Sequence, residues 1–149
     1  AALKFTRKWA FGIGGEDKHE IISFEHSFHG RTYGAISATA QPKYHEGFKP
    51  MVPGMVYLPF NDIDALDQAV STERTATVII EPVQGEGGVN TVQGEVLKHL
   101  RMLCDERQVA LIFDEIQCGL CRTGKFFAYQ HHGIEPDVMT LAKPLAGPS

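Results

Sequence analysis

V-A-L-I-F-D, residues 109–114, is a run of five apolar residues that ends in an acid, Asp114. A second run, D-V-M-T-L-A at residues 137–142, leads directly into Lys143. Short apolar runs between turn residues are typical of strands buried on both faces, as in a parallel sheet covered by helices. Such sheets bind ligands at the carboxyl ends of their strands. We therefore expect Asp114 and Lys143 to lie at one edge of a sheet.

A carboxylate and an amine at one sheet edge form the pair that pyridoxal phosphate enzymes need. The lysine forms a Schiff base with the cofactor, and the carboxylate pairs with the pyridinium nitrogen. Taken alone, a strand-end aspartate is more often a turn or cap residue, and a terminal lysine is usually solvated. The surrounding sequence must therefore decide between these interpretations of Asp114 and Lys143.

Strand and helix patterns alternate along the chain. Apolar runs predict further strands ending near residue 24 and covering residues 55–58 and 76–80. Helical spacing covers the first residues, a segment after the loop at residue 30, and residues 95–107, and Asp62 is placed to cap a helix over residues 63–70. This alternation favours an α/β fold, a mostly parallel sheet with helices on both faces and right-handed crossovers.

The composition sets the outer limits on function. The chain has 149 residues, 43% of them apolar, and a net charge of −4, which fits one globular domain with one core. The charge balance and the lack of a basic stripe argue against nucleic acid as a partner. No apolar run reaches the roughly 20 residues that cross a bilayer, so no membrane association is expected. Three cysteines favour a reducing compartment over a disulfide scaffold.

Two motifs suggest other chemistry. G-L-C-R-T-G-K, residues 119–125, matches a phosphate-binding P-loop, but Phe126 occupies the position where magnesium needs a hydroxyl. Cys118 and Cys121 form a C-x-x-C pair, which could be redox-active or half of a zinc site. The histidines nearby lack the spacing of zinc ligands. A nucleotide-binding domain is therefore kept as an alternative of a different class.

Two further segments bring polar groups to the same edge. E-P-V-Q-G-E-G-G-V, residues 81–89, follows a buried strand and carries Glu81 and Glu86. S-F-H-G-R-T, residues 27–32, follows another and carries Phe28 and Arg31. Phe28 could supply a flat face for an aromatic cofactor, and Arg31 a fork for a carboxylate. Without this context, the first segment would be a glycine-rich crossover, Phe28 a core residue and Arg31 a solvated charge.

Five groups of motifs, in this order and spacing, resemble those of class III aminotransferases of fold type I. They are S-F-H-G-R-T, Q-P-K-Y with G-F-K-P, E-P-V-Q-G-E-G-G-V, F-D-E-I-Q-C-G-L-C-R-T-G-K and L-A-K-P-L-A-G. The resemblance covers essentially the whole chain. It implies that residues 1–149 form part of the large, pyridoxal phosphate-binding domain, with the small domain and the N-terminal phosphate loop absent from the chain.

The resemblance also implies roles for the residues around the cofactor. Lys143 matches the Schiff-base lysine, which also moves the substrate proton, and Asp114 matches the acid that keeps the ring nitrogen protonated. Gln117 is expected near the phenolic oxygen, Ile116 under the ring, and Phe28 stacked on its other face.

Other residues match positions that contact the substrate. Arg31 is expected to hold a carboxylate, Glu86 to pair with an arginine from the C-terminal part, and Glu81 to support the site. The implied reaction passes the amino group of N2-acetylornithine to 2-oxoglutarate, giving glutamate, by a ping-pong cycle. His29 favours this donor over ornithine, although ornithine and other ω-amines remain alternatives.

Departures from the family pattern limit what the isolated chain should do. Cys121 replaces a small residue, and Pro148 and Ser149 follow Gly147 where the family continues differently. We expect an incomplete, inactive chain, or a non-catalytic truncated product, derived from a homodimeric protein. The wording of the motifs predicts that the whole protein lies in the mitochondrial matrix if its source is a eukaryote. Otherwise it is expected in the cytoplasm.

Overall fold

Residues 1–146 are described by a computed structural model, whose centre is a five-stranded parallel sheet. The strands are β1 (Glu20–Phe24), β2 (Met55–Leu58), β3 (Thr75–Ile80), β6 (Ala110–Asp114) and β7 (Val138–Thr140), in the order β2-β1-β3-β6-β7. Two short strands, β4 (Val83–Gln84) and β5 (Asn90–Thr91), form a separate antiparallel hairpin. The helices are α1 (Ala2–Gly14), α2 (Tyr33–Ala38), α3 (Ile63–Ala69) and α4 (Gly94–Glu106).

Alternate side chains of the central strands enter two different cores, as the period of a strand requires. One core holds side chains such as Ile22, Val78 and Leu111, against which α3 and α4 pack. The other holds Ile21, Ile79 and Ile112, covered by the first turn of α1. The sheet therefore has helices on both faces, which confirms the predicted fold class.

The predicted helices on the first core form for the reasons that the sequence indicated. Asp62 accepts a hydrogen bond from the Ala65 amide at 2.9 Å and so caps α3. Helix α4 buries one face through a stripe of apolar residues at helical spacing: Val96, Leu97, Leu100, Leu103 and Cys104. Arg107, at its C-terminal end, donates to the Asp67 carbonyl and ties α4 to α3.

The last strand differs from its prediction. Residues 137–142 were expected to form a buried strand running into Lys143, but β7 covers only Val138–Thr140 and is partly exposed. Strand β7 lies at one end of the sheet order, so among residues 1–146 only β6 pairs with it, and its three residues are partly exposed. Lys143 begins a 3₁₀ turn, Lys143–Ala146. The departure at residues 147–149 lies outside the described part of the chain.

The segment after β6 is not a P-loop. A P-loop leads from a strand through a glycine-rich turn into an α-helix. Here residues 116–127 form turns and bends, and only the short 3₁₀ helix Ala128–His131 follows Lys125. Across residues 1–146, none of the helices has the length and apolar character needed to cross a membrane.

Candidate active site

The strand order brings the loops after β1, β3 and β6 to one edge of the sheet. The chain runs from β1 outward to β2 and then returns to place β3 on the other side of β1. Ligands of open α/β sheets bind at such a switch point, beyond the carboxyl ends of the strands. His29 follows β1, Glu81 follows β3 and Asp114 ends β6, and each is less than a tenth exposed. Glu81 and Asp114 therefore lie at the same edge of the sheet, as the sequence predicted.

Asp114 is held by three hydrogen bonds. Its Oδ2 lies 2.8 Å from Nδ1 of His29, while its Oδ1 accepts from the Thr140 hydroxyl at 3.0 Å and from the Ile116 amide at 3.2 Å. The carboxylate is only 4% exposed. A buried acid is stable when its oxygens are partnered in this way. The three partners fix the carboxylate in one orientation at the end of β6.

His29 is the main partner that sequence reasoning missed. It was interpreted only as a marker of the amino donor, yet its ring is paired with Asp114. Its backbone amide donates to the Thr39 hydroxyl at 2.9 Å, which fixes the ring's approach. Its Nε2 is buried and has no hydrogen-bond partner among residues 1–146. Such an atom costs about 1–3 kcal/mol when it stays unpaired, so a bound group should satisfy it.

Glu81 holds the loop that carries the aromatic residue Phe28. Its Oε2 accepts from the Phe28 amide at 3.1 Å. Burial raises the pKa of Glu81 to about 7, helped by the nearby charges of Asp114 and Glu86 and opposed by His29 and the Phe28 amide. A carboxyl group with this pKa changes its charge near neutral pH.

Buried amide side chains brace the same loop. Gln84 donates to the Glu25 carbonyl at 2.9 Å, and Gln41 donates to the Ser27 carbonyl at 3.0 Å. A methyl group added at Gly87 would lie 2.6 Å from the carbonyl oxygen of His26, so only glycine permits this approach. The hairpin that carries Glu86 is thus packed directly on the loop after β1, and the Glu86 side chain itself is exposed.

Gln117 lies against the same hairpin. A methyl group added at Gly85 would lie 2.1 Å from Oε1 of Gln117. The loop after β6 therefore contacts the hairpin after β3, as a site built across several strand ends requires. Gln117 and its neighbour Ile116 are both partly buried.

Phe28 and Arg31 are neighbours on the rim of the site. The Phe28 ring is partly buried and packs edge to face on the Tyr44 ring, with centroids 5.3 Å apart. The exposed Arg31 guanidinium lies over both rings, 5.5 Å from the Phe28 centroid and 5.1 Å from the Tyr44 centroid. Phe28 and Arg31, both predicted site residues, thus form one cluster with Tyr44.

Lys143 is the predicted residue that the structure does not join to the others. Its side chain is exposed, and it forms no hydrogen bond or ion pair within the described residues. The nearest link is along the chain, because Thr140, three residues earlier, donates to Asp114. Lys143 therefore follows the strand next to the Asp114 strand, at the same edge of the sheet.

A cleft of about 310 Å³ opens between the start of α1 and Asp114. Its lining includes His29, Asp114 and Thr140, the apolar side chains of Ile79 and Ile116, and the first turn of α1. A buried carboxylate, apolar walls and an unpaired buried imidazole nitrogen together fit a pyridine cofactor.

Glu115 is a second residue that sequence reasoning passed over. It is fully buried, and its two carboxylate oxygens accept from the Ala128 and Tyr129 amides at 2.8 and 2.9 Å. This carboxylate caps the 3₁₀ helix and anchors the end of the long turn that begins after Asp114. Its neighbour Asp114 gave the stronger sequence signal, because that acid ends the apolar run.

The cysteine pair shows no metal site. No cluster of three or more potential metal ligands occurs among residues 1–146. Burial raises the pKa of Cys118 to about 12, which leaves its thiol protonated and unreactive at neutral pH. Cys121 is exposed, with both cysteines in the reduced form.

Comparison with solved structures places the fold among transaminases. The chain superposes on the ornithine aminotransferase of Toxoplasma gondii with a TM-score of 0.86 and 38% identity, covering 94% of this chain and 33% of that one. It superposes on an (S)-enantioselective ω-transaminase of Thermomicrobium roseum with a TM-score of 0.89 and 31% identity, covering 95% and 36%. These matches agree with the five-stranded parallel sheet and its flanking helices.

Residues 1–148 match the aminotransferase class III family. The chain belongs to this family, whose cofactor is pyridoxal phosphate, and the predicted resemblance is confirmed.

Curated relatives point to one group within the family. The acetylornithine aminotransferase of Methanocaldococcus jannaschii is 52% identical over 98% of this chain, and that of Aquifex aeolicus is 52% identical over 99%. A probable acetylornithine aminotransferase of Dictyostelium discoideum, named as mitochondrial, is 49% identical over 99% of this chain. The chain spans 36%, 39% and 33% of these proteins, respectively.

Proposed function

We propose that this chain forms part of the cofactor-binding large domain of an aminotransferase that moves the amino group of N2-acetylornithine to 2-oxoglutarate. The products are N-acetylglutamate semialdehyde and glutamate. The main observation that supports this proposal is the Asp114 carboxylate, which three hydrogen bonds fix at the switch point of the sheet. Two relatives at 52% identity, both named as acetylornithine aminotransferases, support the choice of amino donor.

Pyridoxal phosphate supplies an electron-withdrawing ring and an aldehyde that exchanges amino groups. In our proposal, Asp114 holds a proton at the ring nitrogen, and His29 and Thr140 hold Asp114 in place. Ile116 and Phe28 would hold the two faces of the cofactor ring, and Gln117 would contact its phenolic oxygen. Lys143 would hold the cofactor through its amine and would move a proton at the substrate Cα.

The substrate side of the site is formed by the loops after β1 and β3. Arg31 is exposed at the rim and binds a carboxylate of the substrate. Glu86, exposed on the hairpin, pairs with an arginine from the C-terminal part of the protein. Glu81 fixes the Phe28 loop by accepting the Phe28 amide. These roles place substrate recognition on loops that the buried glutamines brace.

A second amino donor is kept because one structure supports it. The Toxoplasma gondii protein, an ornithine aminotransferase, is 38% identical over 94% of this chain. Ornithine and N2-acetylornithine present the same terminal amine and differ at the other amino group. The two donors therefore have to be distinguished by measurement.

The proposal extends to the whole protein that carries this chain. The small domain and the phosphate-binding loop lie outside the chain, and the active form is a homodimer. The protein acts in the mitochondrial matrix in a eukaryote, in line with the name of the Dictyostelium relative, and in the cytoplasm otherwise. The 149 residues alone have no activity in this proposal, because part of the site lies elsewhere.

The deciding experiment is a substrate comparison on the protein that carries this chain, loaded with pyridoxal phosphate. Glutamate formation from 2-oxoglutarate is measured with N2-acetylornithine, with ornithine and with a simple ω-amine as donors. We expect kcat/KM for N2-acetylornithine to exceed that for ornithine by about 10-fold or more, ~1.4 kcal/mol of preference. A higher value with ornithine would assign the second function, and no glutamate with any donor would make the chain non-catalytic.

A further inference from the structure

The Q-P-K-Y motif, residues 41–44, is not yet explained by the proposed function. Its Tyr44 ends a 3₁₀ turn, Pro42–Tyr44, on the surface beside the site. The ring contacts Phe28 edge to face and lies under the Arg31 guanidinium. Tyr44 is thus the residue of this motif that contacts Arg31, the arginine proposed to bind the substrate.

The turn that carries Tyr44 is anchored at both ends. On one side, Gln41 is buried and donates to the carbonyls of Ser27 and His26 at 3.0 and 3.2 Å. On the other side, the buried His45 places its Nε2 2.7 Å from the Thr39 carbonyl oxygen. Two buried anchors on either side of one ring leave that ring little freedom to move. Tyr44 therefore offers Arg31 a fixed surface.

The contact with Arg31 leaves the guanidinium available for a ligand. A cation above an aromatic ring is attracted by the ring face, so the N–H groups at its edge need not be used. Within residues 1–146, the Arg31 side chain forms no hydrogen bond or ion pair. Lys43 also lies over the Tyr44 ring, 4.8 Å from its centroid. Two cations on one ring repel each other, and an anion between or beside them would relieve that repulsion.

We propose that Tyr44 is a positioning residue for Arg31, holding its guanidinium ready for a carboxylate of the dicarboxylic oxo-acid substrate. The inference rests on the proposed function, in which Arg31 binds that carboxylate. Tyr44 does not touch the reacting atoms. It reduces the rotational freedom that Arg31 must lose on binding, a loss that weakens the affinity of a long, flexible side chain for its ligand.

The test uses the protein that carries this chain, loaded with pyridoxal phosphate, and glutarate as a dicarboxylate that cannot react. Binding of glutarate is measured by calorimetry, and KM for 2-oxoglutarate and kcat are measured separately. We expect Tyr44→Ala to weaken glutarate about fivefold and to raise KM equally, with kcat unchanged. Fivefold corresponds to ~1 kcal/mol, the range of a cation–π contact at an exposed site.

Matched variants separate positioning from general damage. Tyr44→Phe keeps the ring face and should bind glutarate within about twofold of wild type. Tyr44→Leu fills the same space against Phe28 without an aromatic face and should behave like Tyr44→Ala, which keeps the test open if the alanine variant folds poorly. Phe48→Ala removes an exposed aromatic from the same surface segment and should bind as wild type does.

A double-mutant comparison decides whether Tyr44 acts through Arg31. In an Arg31→Ala background, Tyr44→Ala should cause no further loss of glutarate affinity, because the contact is already gone. An equal loss in both backgrounds, tighter binding by Tyr44→Ala, or wild-type binding by Tyr44→Leu would overturn the inference. If Arg31→Ala itself left glutarate affinity unchanged, the role of Arg31 in the proposed function would fail first.

Discussion

The ends of β6 and β7 differ although the sequence predicts them by the same rule. Each is an apolar run that leads into a charged residue, Asp114 in the first and Lys143 in the second. Asp114 is 4% exposed and held by three hydrogen bonds. Lys143 is exposed, lies three residues beyond the end of its strand, and begins a 3₁₀ turn.

The difference follows from the position of each strand in the sheet. Strand β6 lies between β3 and β7 and is covered on both faces, so His29 and Thr140 reach Asp114 from other elements and the Ile116 amide reaches it from its own loop. Strand β7 has β6 on one side only, and its three residues are partly exposed. A charge at the end of an apolar run is fixed by the fold only where flanking strands and loops reach it. Asp114 is therefore preorganised by this chain, whereas Lys143 is not.

The largest effect is expected at Lys143. It would show that the exposed residue after β7 takes part in the reaction although the fold does not fix it. Replacing Lys143 with alanine should lower the amino-transfer rate by about 10⁴-fold, the upper range for a residue that transfers a proton. Borohydride reduction in the presence of pyridoxal phosphate should leave a pyridoxyl group on the peptide that contains Lys143, as mass spectrometry would show. Lys125→Ala serves as the control, and a label on Lys125 would contradict the assignment.

A somewhat smaller effect is expected at Asp114. Asp114→Asn keeps the shape but removes the charge that would hold a proton at the ring nitrogen. Removal of the Cα proton should slow by about 10³-fold, ~4 kcal/mol, while the cofactor still binds. Single-turnover absorbance measurements give this rate, with Asp105→Asn as a control on an exposed acid. An unchanged rate would reduce Asp114 to a structural residue, on a par with its neighbour Glu115.

The next prediction concerns Glu81, whose burial raises its pKa and so makes the stability of the protein depend on pH. Its pKa is near 4.5 when unfolded and about 7 when folded, so between these values the folded state binds more protons. Stability should therefore fall as pH rises from about 4.5 to 7, by up to ~3 kcal/mol. Glu81→Gln removes this cost and still accepts the Phe28 amide, so it should unfold at higher urea than wild type at pH 8 and at similar urea near pH 4.5.

Urea titrations at several pH values check this expectation in the protein that carries the chain. Glu46→Gln, a change at an exposed acid, should follow the wild-type curve throughout. If wild type and Glu81→Gln differed by a constant amount from pH 5 to 8, Glu81 would be ionised over the whole range.

The smallest effect concerns Thr140, which links the two strand ends. Thr140→Val removes the hydroxyl that donates to Asp114 and should lower the free energy of unfolding by about 1 kcal/mol. Thr140→Ser keeps the hydroxyl and should restore most of the loss. Equal stability of the valine variant and wild type in urea would mean that β7 is not tied to Asp114 in solution.

The sequence predicted the central strands well because their signal is local. The largely apolar runs at residues 76–80 and 109–113 fit strands of a covered sheet, and Asp62 marks its helix start by capping chemistry. The hairpin of β4 and β5 was missed because two-residue strands leave almost no periodic pattern. The length of β7 was wrong because exposure at a sheet edge depends on neighbours that the run itself does not encode.

The sequence predicted the acidic residues of the candidate site but not the residues that pair with them. Asp114 and Glu81 could be found because each directly follows a buried strand. Their partners His29 and Thr140 could not, since a histidine in a loop and a threonine in a strand carry no signal of what they face. Tyr44 was quoted only as part of a motif, and its contact with Arg31 depends on a turn anchored by Gln41 and His45.

Each neighbouring pair in the sheet is parallel, so no two paired strands can be joined by a short hairpin. Ile22 pairs with Val78, Ile80 with Phe113 and Phe113 with Met139, each across a long intervening segment. Long-range pairing of this kind is slow, because loop closure must come before the contacts that repay it. During folding, the carboxyl groups of Asp114 and Glu81 can lose their water only after β1, β3 and β6 have assembled. These two buried acids are therefore hydrated until late, and a nascent chain delayed before that point exposes apolar strand edges to aggregation.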